Sequence, residues 1–172
     1  MPIQLGYVFV MKRIFYLTAA LFLLHSLALW PDAHAETPEQ RQTQNTFVWE
    51  TLNIVTYSDR HHPFRVEMAI TPSQQAQGLQ WRKTLALDAG MLFDFGGSKA
   101  TAFWMKNTYV SLDMIFIASN GIIVKIAQNT VPLSLAVIPS GIAVRAVLEV
   151  RAGTTKRLGI KPGDMVDHRL FQ

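Results

Sequence analysis

The chain has 172 residues, 49% hydrophobic and 16% charged, with 16 Lys and Arg against 12 Asp and Glu for a net charge of +4. It has no cysteine, which excludes disulfides, thiolate zinc sites, a catalytic thiol and a lipid-modified N-terminal Cys. The cations are scattered and form no basic run, a pattern that favours solubility and argues against nucleic-acid binding.

Lys12 and Arg13 precede an apolar run from Ile14 to Trp30, followed by the small-x-small pattern Ala33-His34-Ala35. This order predicts an export signal over residues 1–35, cleavage after Ala35, and a periplasmic or secreted protein. The run approaches the roughly 20 residues that span a bilayer, so an uncleaved anchor is the alternative. His25, Ser26 and the cleavage pattern weigh against it, and no stable membrane insertion is expected after cleavage. Met11-Lys12-Arg13 would open a more ordinary signal than Met1 does, and either start gives the same mature protein. Removing residues 1–35 takes away Lys12, Arg13 and Asp32 and leaves 137 residues at about +3, enough for one domain with one core.

Residues 36–46 are polar, rich in Gln and Thr and interrupted by Pro38, and are expected to form a flexible leader. The remainder, 47–172, reads as a single domain. Strand patterning begins near Phe47 and continues over Leu52 to Thr56. After turn residues 58–63, Phe64, Val66, Met68 and Ile70 alternate with polar or small residues as in a half-buried strand. Thr71, Pro72 and Gln74 match an N-cap, a first-turn proline and a capping-box partner, so a short helix is predicted from here toward Gln80, weakened by Gly78. Met91, Phe93 and Phe95 predict a short strand closed by a Gly96-Gly97 turn.

Val110 to Ile117 is apolar on both faces apart from Ser111 and Asp113, as in a central strand, and Asn120-Gly121 predicts a hairpin into Ile122 to Ala127. Ala143 to Arg151 alternates, with Val144, Ala146, Leu148 and Val150 on one face and Arg145, Val147, Glu149 and Arg151 on the other. Thr154 to Leu158 predicts one helical turn closed by Gly159, and Lys161-Pro162-Gly163-Asp164 a turn before a last strand over 165–167. The expected fold is mainly β, a sandwich or partly open barrel with one or two short helices.

The strongest candidate site is Phe103-Trp104-Met105-Lys106-Asn107-Thr108. If extended, it places an indole, an ammonium and a hydroxyl on one side, a surface suited to a carboxylate, phosphate or sugar. The bland alternative is that Trp104 and Met105 fill core, Lys106 snorkels, and Asn107-Thr108 turn the chain. Asp113 opens a buried strand and needs a partner. It is either an acid at a pocket rim or a structural bridge to Lys106, Arg82 or a turn, the bridge being slightly favoured. The predicted ligand-binding set is therefore Trp104, Lys106, Asn107 and Asp113, with Arg82 at the edge.

Other chemistries fit less well. His61-His62 on a strand point to opposite faces, with no further His or Cys at ligand spacing. Met68, Met91, Met105 and Met114 offer soft sulfur for Cu(I), but methionine at strand spacing is ordinary core. No Gly-x-Ser-x-Gly elbow or phosphate loop occurs. Asp94 and Asp113 could serve glycoside cleavage only at the right separation. No metal or cofactor is expected.

Gly90-Met91-Leu92-Phe93-Asp94-Phe95, Thr101 through Thr108 and Leu112-Asp113, with Gly78-Leu79-Gln80-Trp81-Arg82 upstream and Val147 through Gly153 downstream, resemble the family catalogued as domain of unknown function 192. The resemblance implies the fold class and the extent of the domain but carries no settled activity. The chain departs from the family pattern at Ser111 and Met114, where the family usually shows Pro and Ile, and at Gln80, where it shows Met. Asp113, Trp81 and Arg82 match. The expected role is binding of a small molecule or cell-envelope component at an aromatic-polar site. The alternatives are a glycan- or peptide-acting enzyme using Asp113 with Lys106, and a structural or accessory envelope protein without a pocket.

Overall fold

The computed structural model describes residues 46–172. The export signal expected over 1–35 and all but the last residue of the expected leader lie outside the described residues. Seven strands, β1 (Val48–Val55), β2 (His61–Ala69), β3 (Ala89–Phe103), β4 (Leu112–Ile117), β5 (Ile123–Ala127), β6 (Ile138–Arg151) and β7 (Met165–Asp167), form one sheet in the order β5-β4-β6-β3-β2-β1-β7. Two short helices, α1 (Pro72–Gln77) and α2 (Thr154–Leu158), accompany it.

All neighbours are antiparallel except β2 and β3, whose parallel pairing requires a long crossover, supplied by residues 70–88 with α1 inside them. A bridge between Ile122 and Met165 draws the β5 side toward β7, so the sheet curls into a nearly closed barrel and leaves little free edge. Of the two expected architectures, the barrel is the one that forms.

The sheet is buried on both faces at its centre. Leu52, Phe64, Val66, Leu92, Leu148 and Val150 belong to the first core, which fills the barrel. Leu79, Met91, Phe93, Met105, Met114 and Val147 belong to a second core on the outer face. Adjacent residues such as Met91 and Leu92 enter different cores because successive side chains on a strand point to opposite faces. The second core exists because α1 and the segments around residues 79 and 105 cover the outside of β3, β6 and β4.

Two expectations are corrected. Gly96-Gly97 does not end β3 in a turn. The strand runs on to Phe103, and the register slips between Asp94 and Lys99, so the glycines form a bulge with open space around them. Likewise β6 begins at Ile138, five residues before the alternation becomes readable, because Pro139 and Gly141 obscure its start.

Candidate functional site

The capping box that starts α1 forms as its residues require. Thr71 Oγ1 accepts from the Gln74 amide at 3.2 Å, and Gln74 Oε1 accepts from the Thr71 amide at 2.9 Å. Gln75 Nε2 donates to Asp94 O at 2.6 Å and so ties the helix to β3. Gly78, at φ 51°, ends α1 directly over Phe93, where a Cβ would lie 3.3 Å from the ring. The chain then passes through Trp81, held at φ 67°, whose amide donates to Asn107 O at 2.8 Å. Asn107 has φ 56°, and its Nδ2 donates to Gln80 Oε1 at 3.2 Å. Two left-handed residues, one of them a tryptophan for which that region is costly, thus lock the two covering segments together.

Between these covers and the sheet lies a cleft of about 330 Å³. Its walls include Leu79, Phe93, Phe95, Phe103 and Trp104, and its polar lining includes Lys99, Lys106, Thr108 and Glu149. Phe103 is the hub of the aromatic wall, edge-on to Phe93 at 5.1 Å and to Phe116 at 6.4 Å between centroids. Lys99 Nζ sits 4.8 Å from the Phe95 ring and Lys106 Nζ 5.4 Å from that of Trp104, so both cations rest on aromatic faces.

Glu149 is the acid that strand alternation put on one face with Arg145, Val147 and Arg151. In register it lies between Met91 of β3 and Met114 of β4, both wholly buried. The side chain is 4% exposed, lines the cleft, and makes no hydrogen bond or ion pair with a described residue. Burial without any compensating donor pushes its carboxyl up to about 8. At neutral pH it is a carboxylic acid, offering one donor and one acceptor into an apolar hollow.

Of the residues expected at the site, Trp104 and Lys106 line this cleft. Asn107 stands behind its rim and braces Gln80. The Arg82 guanidinium forms an ion pair with the buried Glu67, outside the cleft lining. Asp113 points the other way. Met114 faces the second core, so its neighbour Asp113 faces inward, fully buried.

There Asp113 Oδ1 accepts from the Asn129 and Gly153 amides at 3.0 and 3.2 Å, and Oδ2 accepts from the amide and hydroxyl of Thr155 at 3.0 and 2.8 Å. These four bonds fasten the segment after β5 and the first turn of α2 to β4. No ion pair joins Asp113 to Lys106 or Arg82 among the described residues. The cleft lining contains one carboxyl group, where glycoside cleavage ordinarily employs two.

The sequence pattern of the family DUF192, described as "Uncharacterized ACR", matches residues 53–168. No curated protein matches the chain. A crystal structure from Sinorhizobium meliloti 1021, described as a candidate transcription regulator, is 49% identical with a TM-score of 0.71, over 72% of this chain and 96% of that one. A protein of unknown function from Novosphingobium aromaticivorans DSM 12444 is 34% identical with a TM-score of 0.68, over 73% of this chain and 94% of that one.

Proposed function

This chain belongs to the DUF192 family, and from that premise we propose that it is an exported binding domain for a small amphipathic anion, held in the cleft between the sheet and its outer cover. The observation that carries the reading is Glu149, a buried carboxyl at the cleft with no described partner of its own. A ligand bringing a carbonyl or hydroxyl would supply the hydrogen bond that the protein does not, worth about 1 kcal/mol. The aromatic wall suits an apolar body, and Lys99 and Lys106 at the cleft suit a carboxylate or phosphate.

The regulator description of the Sinorhizobium meliloti neighbour weighs less here. Helices of six and five residues are short for a recognition helix lying in a DNA groove.

The reading is tested by protein-observed NMR titration with a panel of aryl and medium-chain alkyl carboxylates and phosphates. Binding is expected for members that carry both an apolar body and an anionic group. Lys106→Ala and Phe103→Ala should each weaken it about tenfold, the loss of one charge contact or one aromatic contact. A panel that leaves every Phe103 and Glu149 resonance unmoved would refute the reading.

A further inference from the structure

A second surface adjoins the rim of the cleft. From Ile126 to Val144 the chain carries no charged residue over 19 positions, and the middle of this stretch, residues 131–137, is largely exposed. Val131 is 69% exposed, Leu135 and Val137 each 65%, and Leu133 53%. Large apolar side chains clustered on one exposed loop mark a contact surface. The loop is held in place and does not fold back over its own side chains. The Leu133 amide donates to Thr108 O at 3.1 Å, and the Met105 amide donates to Ser134 O at 3.0 Å. Those bonds set the loop beside Trp104 and Tyr109, which are 51% and 46% exposed, and extend the apolar area.

The charges around this area have one sign. Lys106 follows Met105, Lys99 is paired in register with Val144, and Lys125 Nζ donates to Pro139 O. None of the three forms an ion pair with a described acid. Asp94, the acid nearest along β3, is already taken by Arg145. An uncharged apolar projection rimmed by unpaired lysines is complementary to a bilayer whose headgroups are anionic and whose interior accepts Val, Leu and Trp.

We propose that residues 131–137, with Trp104 and Tyr109 beside them and Lys99, Lys106 and Lys125 as a cationic rim, dock the domain onto an anionic lipid surface. The surface shares Trp104, Lys99 and Lys106 with the cleft rim. Leu135 and the rest of residues 131–137 lie outside the cleft lining and Glu149 takes no part in the docking surface, so a label at Leu135 and the Glu149→Gln variant tell the two readings apart.

The absence of cysteine allows one environment-sensitive fluorophore to be placed at Leu135→Cys in the whole chain. A control label goes at Tyr57→Cys, which is 92% exposed in the β1–β2 turn, at the end of the barrel where β6 finishes. Vesicles of equal parts phosphatidylethanolamine and phosphatidylglycerol should shift the Leu135 label to the blue and raise its intensity several-fold. Phosphatidylcholine vesicles should leave it unchanged, as should either vesicle at the Tyr57 label. Exchanging all three lysines for Gln should weaken the response on the order of 100-fold, at about one lysine's worth of headgroup attraction each. Glu149→Gln should leave it intact. A silent Leu135 label on anionic vesicles would overturn the proposal and leave the loop as a protein-docking surface. An equal response at Tyr57 would overturn it too, by placing the contact elsewhere on the chain.

Discussion

Glu149 gives the domain an unusual dependence on pH. Its folded-state pKa of about 8 lies above its ordinary value of 4.5, so between those limits the folded protein holds a proton that the unfolded chain has released. Stability must therefore fall as pH rises through that window and level off above it, with a total loss on the order of 5 kcal/mol. Glu149→Gln, which mimics the neutral acid, should match the wild type at pH 5 in urea melts and exceed it by several kcal/mol at pH 9. A variant no more stable than wild type at pH 9 would contradict this.

Asp94 and Glu50 act in the opposite sense. Burial opposes ionisation of Asp94, but hydrogen bonds from Arg145 and the Gly96 amide outweigh it and hold the carboxyl below its usual range. Glu50 is lowered chiefly by its hydrogen bond with Arg169. Their contribution is present above the ordinary carboxylate pKa and is lost as pH falls through the lowered values. Asp113→Asn should cost roughly 2 to 4 kcal/mol, because the amide cannot accept all four hydrogen bonds. Lys106→Ala should fall within about 0.5 kcal/mol of wild type, and the two changes should add. The need of Asp113 for partners was legible in the sequence, as was the pairing of Trp104 with Lys106. The partners of Asp113 were not, since three of its four bonds reach 40 or more residues along the chain.

At the scale of elements, local chemistry was the most readable. The Thr71 capping box, the Asn120-Gly121 hairpin and the Gly159 close of α2 each depend on a few adjacent residues, and each forms. Thr71→Ala should accordingly cost about 1 kcal/mol of stability in thermal melts. The length of β3 was hidden, because a Gly-Gly pair reads equally as a turn or a bulge, and only pairing with β6 decides between them.

Glu149 was missed for a related reason. It shares its face with Arg145 and Arg151, a pattern that reads as solvated, and the cover that buries it comes from residues near 79 and 105. The same close packing makes Gly90 irreplaceable. A Cβ there would lie 2.5 Å from the Glu149 carbonyl oxygen, so Gly90→Ala should push β3 and β6 apart at the cleft. It should destabilise by roughly 2 to 4 kcal/mol in urea melts and weaken ligand binding with it.

Across the whole molecule, one sheet is buried twice, by its own closure and by the cover on its outer face, and the second burial creates both the cleft and the neutral acid in it. The mainly β class was readable from short strands and frequent turns, but the double burial was not, since alternation assigns one face of a strand to solvent. Export is proposed on the order of charge, apolar run and Ala33-His34-Ala35 alone. N-terminal sequencing of the protein from its own cells should begin at Glu36, whereas an intact N-terminus would mean that residues 1–35 are retained. The protonation of Glu149 underlies the proposed site, and the direct measurement is a carboxyl 13C NMR titration of that residue. Burial at the cleft predicts a midpoint near pH 8; a midpoint in the ordinary carboxylate range would mean that the group is solvated or paired and would remove the basis for the proposed site.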